Sequence, residues 1–377
     1  MKRDLLVATL TLCGLMSLSA CGSNAKGTET SKAADVDTVT VVTDVATPLA
    51  SDTITFAFAG DTMPGTTFPD DSRRAYLPAN PEGLFTHVKP LLEEADFATL
   101  NLEGVLLDKG GTPKPGSNPK TWFVFRIPQR YAALLTDAGV DAVSIANNHV
   151  NDLGPEGLHS TMATLDSLGI AYSGIEGRCE ATVVERAGRR IGFAAFGFSR
   201  GTTDLNDLGK VRRVVSELAG KSDIVVVSFH HGEEGQSHTH QPYRTETGFG
   251  QPRGNGREFA RTAIDAGADI VFGHGPHVTR AVDMYKDRLI LYSLGNFVTP
   301  YRMTISGISG HAPVVTVKTD AAGRFISGQI HPFVQQKGAG PRPDTSGTVI
   351  SQIRNLTRQD CPDAPLQITA QGEILSR

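Results

Sequence analysis

The chain alternates strand-like apolar segments with helical patterns, and this alternation constrains its fold more than any other feature. Runs rich in β-branched and aromatic residues predict strands at 53–59, 97–102, 142–146, 191–196, 224–229 and 270–272. The helical patterns between them cover 83–95, 129–138, 154–168, 211–218 and 256–266. Strand–helix alternation of this kind predicts an α/β fold.

Hairpin-like pairs of segments follow the alternating part of the chain. The paired segments are 280–284 with 289–293 and 314–319 with 325–331. Because they contain no helix, they predict a second sheet packed on the first. A short helix at 348–356 and a last strand at 366–370 complete the order of elements. No linker rich in proline and glycine divides residues 51–377, so we expect one domain over this range.

Five of the strand-like segments end in residues that can bind metals or transfer protons. These endings are Gly60-Asp61, Asn101-Leu102-Glu103, Asn147-Asn148-His149, His230-His231-Gly232-Glu233-Glu234 and Gly273-His274-Gly275-Pro276-His277. In open α/β sheets, ligands bind in the crevice beyond the carboxyl ends of the strands. We therefore expect these side chains to gather at one site.

Each of these residues also has a plain structural interpretation. Asp61 after a glycine is typical of a turn, and Glu103 could be a solvated loop carboxylate. Taken together, however, five such endings favour a shared site over five coincidences. Imidazoles with carboxylate and amide oxygens suit one or two divalent ions, and Mn, Zn, Fe and Mg remain open. Two such ions roughly 4 Å apart can clamp an oxyanion such as phosphate for in-line attack.

The N-terminus has the features of a secretory signal. Lys2-Arg3 precede an apolar stretch at 5–18, which ends in Leu18-Ser19-Ala20-Cys21-Gly22. A basic start, a short apolar core and small residues are typical of such signals. The ending resembles a bacterial lipobox, which predicts a signal peptide at 1–21 and lipidation of Cys21; an ordinary signal peptide is the alternative. We expect an extracytoplasmic protein that is anchored to the cell membrane as a lipoprotein.

The segment that follows this signal is rich in threonine, serine, alanine and aspartate. Residues 22–50 have little aromatic content and cannot bury a core, so we predict a disordered tether. Cys179 and Cys361 would lie in an oxidising compartment, where they either pair as a disulfide or remain free thiols.

The net charge argues against a nucleic-acid partner, and the hydropathy argues against a membrane-spanning helix. The formal net charge of -4 provides no basic surplus for nucleic acid, so we expect no nucleic-acid partner. No apolar run approaches the ~20 residues that a membrane-spanning helix requires.

With these motifs in this order, the sequence resembles the CapA family of capsule synthesis and poly-γ-glutamate biosynthesis proteins. The resemblance runs from about Thr53 to Phe297. Its six motifs are Gly60-Asp61 with Met63-Pro64-Gly65, Asn101-Leu102-Glu103, Asn147-Asn148-His149 with Asp152, His230-x-Gly232-x-Glu234, Gly273-His274-x-Pro276-His277-Val278 and Tyr292-Ser293-Leu294-Gly295-Asn296-Phe297. The resemblance implies a metallophosphatase-like α/β fold, an αββα sandwich of two packed mixed sheets flanked by helices, over residues 51–377.

The resemblance also implies roles for individual residues. The metal ligands would be Asp61 and His277 at a first ion, Glu103 between two ions, and Asn148, His230 and His274 at a second ion. His149 would face the substrate as an acid or oxyanion donor, with Asp152 orienting it. The residues behind the ligands or beside the substrate would be Asn147, Glu234 and Asn296.

The chain departs from the metallophosphatase pattern at the first metal. Met63 stands where a histidine is usual, and Glu103 stands where the bridging residue is usually an aspartate. A thioether binds hard divalent ions poorly, so the first metal would be short of a ligand. His231 occupies a position that is aromatic in many members, and Gly275 replaces a second histidine.

Compared with the family that the sequence resembles, the polar segment 235–256 is longer than usual. It carries His238, His240 and Tyr243. Such a segment is either a lid over the site or a plain surface loop.

Two functions of different classes follow. The leading hypothesis is a lipid-anchored hydrolase that uses divalent metal to cut a phosphoester or another bond in a capsule, poly-γ-glutamate or other surface polymer. The alternative is a non-catalytic accessory protein, which would bind an anionic polymer or support a polymer synthesis and export complex. Met63 motivates this alternative. A purely structural lipoprotein would leave the polar strand ends unexplained.

Overall fold

The architecture of the protein is taken from a computed structural model that describes residues 52–69, 76–115 and 123–377. All of these residues fall within one unit of the chain, Leu49–Arg377. The predicted signal peptide (1–21) with Cys21 and the predicted tether (22–50) lie outside the described residues.

The described residues form 21 strands. They are β1 (Thr53–Thr62), β2 (Phe97–Leu102), β3 (Val105–Leu106), β4 (Arg126–Ile127), β5 (Ala142–Ser144), β6 (Ala171–Ser173), β7 (Ala181–Arg186), β8 (Arg189–Gly197), β9 (Ile224–His230), β10 (Glu246–Gly248), β11 (Gln251–Gly254), β12 (Ile270–His274), β13 (Val282–Tyr285), β14 (Arg288–Leu291), β15 (Asn296–Val298), β16 (Val314–Asp320), β17 (Phe325–His331), β18 (Phe333–Val334), β19 (Arg342–Pro343), β20 (Leu366–Ile368) and β21 (Glu373–Ser376).

The same residues form six α-helices and three short 3-10 helices. The α-helices are α1 (Lys89–Glu94), α2 (Ala133–Asp137), α3 (Gly154–Leu168), α4 (Leu208–Ala219), α5 (Gly256–Asp265) and α6 (Thr348–Asp360). The 3-10 helices are Pro81–Gly83, Gln129–Ala132 and Gly307–Gly310.

The first sheet is built around β1. Its order among the described strands is β20-β21-β17-β16-β1-β2-β5-β6, and β15 also pairs with β1. Strands β15, β1, β2, β5 and β6 run parallel to one another, whereas β16, β17, β21 and β20 are joined by antiparallel pairing. The carboxyl ends of β1, β2 and β5 therefore lie at one edge of this mixed sheet.

The second sheet has the order β13-β14-β12-β9-β8-β7. Its four central strands are parallel, and β7 and β13 pair antiparallel at its edges. The prediction that both late hairpins build this sheet is wrong for β16 and β17. That hairpin joins the first sheet because β16 pairs with the free side of β1, over Thr53–Phe58 against Val315–Asp320. Only the hairpin of β13 and β14 belongs to the second sheet.

The two sheets pack face to face, as the alternation of β1 shows. Phe56 and Phe58 point to the second sheet, where the ring centroid of Phe58 lies 4.9 Å from that of Phe272. Ala57 and Ala59 point the other way, into a cluster shared with residues of α1, α2 and α3. Helices α4 and α5 contact β8 and β12 of the second sheet. The predicted αββα sandwich is confirmed.

Helix boundaries follow local capping chemistry. Asp207 and Asn255 precede α4 and α5, and their side chains accept hydrogen bonds from the first turn. The predicted helix at 154–168 is α3, which ends before Gly169 at φ +67°. The predicted helix at 83–95 is shorter, because α1 begins at Lys89 with a proline in its first turn. No helix in the described part of the chain is long and apolar enough to cross a membrane.

Of the two alternatives for Cys179 and Cys361, a disulfide or free thiols, the structure has free thiols at both residues. Cys179 packs against the hydrophobic cluster on the outer side of the first sheet. Cys361 follows α6 and is buried in the cluster between and behind the sheets. The two side chains therefore pack in different hydrophobic clusters. Burial raises the pKa of the Cys361 thiol to about 12, which keeps it protonated and unreactive.

The polar segment 235–256 is held in place by buried charges. The Arg280 side chain, which is 0% exposed, donates from Nη1 and Nη2 to the Glu246 carboxylate at 2.7 and 2.8 Å. Its Nε donates to the His238 carbonyl oxygen at 2.9 Å. Farther along, Asp360 of α6 accepts a hydrogen bond from the Gln241 backbone N–H at 2.9 Å. These contacts fix the segment at its buried residues, while Tyr243 and Phe249 remain exposed at its surface.

Glu246→Gln is expected to destabilise the fold by about 3–5 kcal/mol at pH 7, because the Arg280 charge would remain buried without its carboxylate partner. Burial alone would raise the pKa of Glu246, but the hydrogen bonds and charge of Arg280 outweigh it and lower the pKa below the ordinary 4.5. The stability difference between wild type and variant is therefore full above pH 4.5 and shrinks as the pH falls further.

Urea unfolding at pH 7 and at pH 4 measures this difference. Glu217→Gln, at a carboxylate that is 58% exposed, is the matched control and should change the free energy of unfolding by less than about 0.5 kcal/mol. Equal stability of Glu246→Gln and Glu217→Gln would contradict the anchoring role.

Candidate metal centre

Asp61 lies at the centre of a polar cluster where the two sheets meet. It is the register partner of Asn101 on β2 and of Asn296 on β15, so three polar residues stand side by side. The Asn101 amide Nδ2 donates to Asp61 Oδ1 at 2.8 Å. A Cβ on the preceding Gly60 would lie 2.0 Å from the Gly295 carbonyl oxygen, which explains the glycine at that position.

His274 and His277 approach Asp61 from the second sheet. Nδ1 of His277 lies 3.0 Å from Asp61 Oδ2, and Nδ1 of His274 lies 3.3 Å from Asp61 Oδ1. The turn between these histidines needs Gly275, whose φ is +113° and whose added Cβ would meet the His231 carbonyl oxygen at 2.3 Å. A histidine at this position, as in many family members, could not fit this turn.

Glu103 follows β2 and completes a group of three possible ligands. Its Oε1 lies 3.7 Å from His277 Nε2 and 3.8 Å from His149 Nε2. One donor atom from each of Asp61, Glu103 and His277 lies within 4.8 Å of the others. Both Glu103 oxygens are buried and accept no hydrogen bond from the described residues.

Several other polar atoms at this site are buried without a hydrogen bond from any described residue. They are both ring nitrogens of His230, Nε2 of His274 and Oδ1 of Asn148. Buried polar groups are almost always hydrogen-bonded, so a cluster of such atoms is unusual. His230 and His274 are also register partners on β9 and β12. Imidazole nitrogens, carboxylates and one amide oxygen form a donor set that fits a divalent cation.

The electrostatics of the cluster favour positive charge. Burial, reinforced by the charge of Asp61, raises the pKa of Glu103 well above its usual value. Burial would also raise the pKa of Asp61, but His274 and His277 outweigh it and lower that pKa. Burial tends to lower the pKa of His277, yet Glu103 and Asp61 raise it to about 10. The protonated imidazole supplies charge that a divalent ion would also supply.

His230 is the residue in this cluster best suited to bind metal through a neutral ring. Burial lowers its pKa well below the usual value, although the charge of Asp61 opposes the shift. A neutral imidazole is the form that ligates metals.

His149 lies on the other side of Glu103, and two contacts hold its ring. Its Nδ1 lies 2.7 Å from Asp152 Oδ2, and its ring stacks on Phe125 with centroids 4.2 Å apart. Asp152 also accepts a hydrogen bond from the Phe125 backbone N–H at 2.7 Å and pairs with Lys114 at 2.5 Å. Because the carboxylate accepts at Nδ1, Nε2 is the nitrogen left to face Glu103.

The other predicted residues have distinct positions. Asn147 acts within the scaffold: its amide donates to Asn101 Oδ1 at 3.0 Å and to the Leu102 carbonyl oxygen at 2.9 Å. Asn296 donates to the carbonyl oxygens of His277, Thr304 and Ser309.

Glu234 stands at the accessible side of the site. Its side chain is 25% exposed and pairs with Arg253 at 2.7 Å, whereas the side chains of Asp61, Glu103 and His274 are 0% exposed. The His277 side chain, at 18%, is also accessible. The cluster therefore opens to solvent beside Glu234 and His277.

Met63 does not contribute a ligand. It is fully buried in the hydrophobic cluster on the outer side of the first sheet. The donor set on the Asp61 side therefore consists of Asp61, Glu103 and His277.

The sequence prediction missed several residues of the site. Asn101 lay within a recognised polar ending, but only its neighbour Glu103 was assigned a role. Phe125, Lys114 and Arg253 carry no local signal, because their relation to His149, Asp152 and Glu234 arises only when distant segments pack together.

Comparison with known families gives a match over most of the described domain. A sequence model of the family described as "Bacterial capsule synthesis protein PGA_cap" matches residues 55–301. Capsule biosynthesis protein CapA of Bacillus anthracis is 30% identical over 235 residues, which are 57% of this chain and 53% of that protein. PGA biosynthesis protein CapA of Bacillus subtilis is 26% identical over 270 residues, or 66% of this chain and 64% of that protein. The chain thus spans between half and two thirds of these relatives.

Solved structures include distant nucleotidases. A 5'-nucleotidase precursor from Thermus thermophilus covers 77% of this chain at 14% identity, with a TM-score of 0.43 and 56% of its own length aligned. NAD nucleotidase of Haemophilus influenzae covers 81% of this chain at 11% identity, with a TM-score of 0.39 and 56% of its own length aligned.

Glu103→Gln is expected to weaken Mn²⁺ binding at least about tenfold, because residues that merely support metal ligands already contribute about that much. In the presence of chelator the variant should melt at the same temperature as wild type or higher, since it buries one charge fewer. Added Mn²⁺ should then raise the melting temperature of wild type but not that of the variant.

Calorimetric titration and thermal melting with Mn²⁺, Zn²⁺ and Mg²⁺ measure these effects. Glu94→Gln, at an exposed carboxylate, is the control and should behave as wild type. Equal Mn²⁺ affinity of wild type and Glu103→Gln would show that the carboxylate is not a ligand.

Proposed function

Because the chain belongs to the bacterial capsule synthesis protein family, we propose that it is a metal-dependent hydrolase of the phosphoesterase type. The hydrolase would act in the biosynthesis of a capsule, poly-γ-glutamate or another cell-surface polymer. One observation carries the proposal: His149, oriented by Asp152, points Nε2 at a buried group of Asp61, Glu103 and His277 that fits a cation.

The site divides its donors between two sides of Glu103. Asp61 and His277 would hold one divalent ion, and Glu103 would reach toward it. Asn148, His230 and His274 would hold a second ion. A bound divalent cation acts as a Lewis acid on a phosphoryl oxygen. Support for this assignment comes from buried atoms of Glu103, Asn148, His230 and His274 that have no hydrogen bond from the described residues.

His149 is the residue that would exchange a proton with the substrate. Its Nδ1–H is donated to Asp152, so Nε2 is the atom that gives or accepts a proton at the reacting group. The Phe125 ring against the imidazole limits rotation of the side chain. Burial lowers the pKa of His149, although Asp152 opposes this shift, so the ring is readily deprotonated.

The cellular setting of the proposal rests on the sequence. The lipobox at Cys21 supports anchoring of the mature protein to the cell membrane, outside the cytoplasm. The substrate would be an anionic surface polymer or a phosphoester, and a polymer synthesis complex would be the partner. The names of the two Bacillus relatives support this setting.

His149→Ala is expected to lower Mn²⁺-dependent turnover of bis(p-nitrophenyl) phosphate by about 10²–10⁴-fold, the range that general acid–base groups contribute. Asp152→Asn should lower turnover as well, because a neutral amide would replace the charged carboxylate that accepts the hydrogen bond from His149 Nδ1. Initial rates at saturating metal measure both effects. His159→Ala, at an exposed histidine of α3, is the matched control and should keep wild-type rates. Absence of metal-dependent turnover in wild type would contradict the proposal.

A second candidate function is supported by Met63, the buried residue at a position where metallophosphatases use a histidine ligand. With a weaker first metal, the pocket would bind an anionic polymer without cleaving it, and the protein would be an accessory subunit.

Strains that carry Asp61→Ala or His230→Ala discriminate between the two functions. The hydrolase predicts loss of surface polymer in both strains, with protein levels in immunoblots unchanged. Wild-type amounts of polymer in both strains would instead favour the accessory role.

A further inference from the structure

Three side chains that no motif includes form a second cluster, close to His149. The guanidinium carbon of Arg302 lies 5.0 Å from the ring centroid of Tyr76 and 5.1 Å from that of Phe123. Both aromatic rings therefore pack against the same charged group. We call Tyr76, Phe123 and Arg302 the aromatic clamp.

Each member of the clamp is tied to a different part of the metal centre. Tyr76 forms two backbone hydrogen bonds with Thr66, at 2.9 and 3.0 Å, and Thr66 follows Asp61 closely in the chain. The Phe123 ring lies 6.2 Å from the Phe125 ring, which stacks on His149.

Arg302 is connected to the site through Asn296. The Asn296 amide donates both to the His277 carbonyl oxygen and to the Thr304 carbonyl oxygen, at 3.4 and 3.1 Å. The loop that carries Arg302 is therefore fixed to the turn that carries His277. The clamp is thus connected to the segment after Asp61, to the Phe125 ring that stacks on His149, and to the turn that carries His277.

The clamp has the properties of a recognition surface rather than of a core. Phe123 is 49% exposed, although it is a large apolar side chain beside a polar site. Arg302 has a φ of +68°, an uncommon conformation for a residue with a side chain, and such conformations concentrate at functional sites.

We propose that Tyr76, Phe123 and Arg302 form a subsite beside the metal centre that binds an anionic carboxylate or phosphate group of the substrate. The subsite would hold a unit of the polymer next to the one that reacts, so this inference rests on the proposed function.

The chemistry of the clamp accounts for the choice of an oxyanion. Two aromatic rings lie close to the guanidinium of Arg302, whose geometry is the planar fork of N–H groups that matches carboxylate and phosphate. The rings also restrict the side chain, so less conformational entropy is lost when the anion binds. A lysine at this position would keep the charge but not the planar fork.

Binding of three probes to the full chain tests the subsite: an oligomer of γ-linked glutamate, the corresponding oligomer of γ-linked glutamine, and inorganic tripolyphosphate. Calorimetry measures the affinities, and fluorescence of Trp122, the chain's one tryptophan and the sequence neighbour of Phe123, gives a second readout. Wild type should bind at least one of the two anionic probes. Its affinity for the neutral glutamine oligomer should be at least about tenfold lower than for that probe, because hydrogen bonds to charged groups are stronger than those to neutral groups.

Arg302→Gln should lower the affinity for the anionic probe by about 10–100-fold, and Arg302→Lys should lower it less. Phe123→Leu, which removes the ring but keeps an apolar side chain, should also weaken binding. Arg342→Gln, at an exposed arginine outside the clamp, is the control and should bind as wild type. Affinity for Mn²⁺ and melting temperature should be unchanged in all four variants, which excludes misfolding as the cause.

The outcomes separate the subsite from the proposed function. The subsite is overturned if wild type and Arg302→Gln bind the anionic probe with equal affinity, or if wild type binds neither anionic probe. Neither result bears on the proposed metal-dependent turnover, which is measured separately. Lack of metal-dependent turnover in a wild type that binds the anion through Arg302 overturns the hydrolase but supports the subsite. Preference for the glutamate oligomer or for tripolyphosphate identifies carboxylate or phosphate as the recognised group.

Discussion

Two carboxylates, Asp61 and Glu103, are buried completely where the ends of two sheets meet. Much of the surrounding structure places hydrogen-bond donors and positive charge beside them. Withdrawing carboxylates from water is unfavourable unless positive charge or hydrogen-bond donors accompany them. Asn101 and two histidines surround Asp61, while among the described residues Glu103 has only imidazoles at ion-pair distance. The raised pKa values of Glu103 and His277 express the same imbalance, and a divalent cation would relieve it.

The fold builds this cluster from backbone geometry that leaves little freedom. Asp61 stands on β1 between β2 and β15, and His274 stands beside His230 on neighbouring strands of the other sheet. Close approach of backbones, of Gly60 to Gly295 and of Gly275 to His231, fixes the segments next to the ligands. Ligands fixed on strands are held more precisely than ligands on free loops.

The loops around the site are secured by buried polar contacts rather than by apolar packing alone. The ion pair of Arg280 with Glu246 fixes the polar segment 235–256, and hydrogen bonds of Asn296 join the loop after β15 to the turn at His277. Asp152 joins His149, Phe125 and Lys114, which come from separate segments. Such contacts fix the loops around a site that is accessible beside Glu234 and His277.

Much of this organisation could be predicted from the sequence, because it depends on local patterns. The alternation of strands and helices predicted the α/β fold, and the family resemblance implied its sandwich form. The polar endings pointed to Asp61, Glu103, His149, His230, His274 and His277 as candidate site residues. Family resemblance was equally local, since it rested on short motifs in a fixed order. The two cysteines show the limit of such patterns: the sequence left open whether Cys179 and Cys361 pair, and the structure places them as free thiols in different hydrophobic clusters.

The sequence by itself determined which chemical groups stand at the ends of the strands, because composition and periodicity act over a few residues. Only the tertiary structure decided which of those groups meet. Asp61 and His277 are 216 positions apart, and their contact exists because two sheets pack with a particular register. The same packing placed β16 and β17 in the first sheet, Met63 in an apolar cluster and Arg302 between two rings. Those outcomes depend on long-range contacts, which no local pattern in the chain specifies.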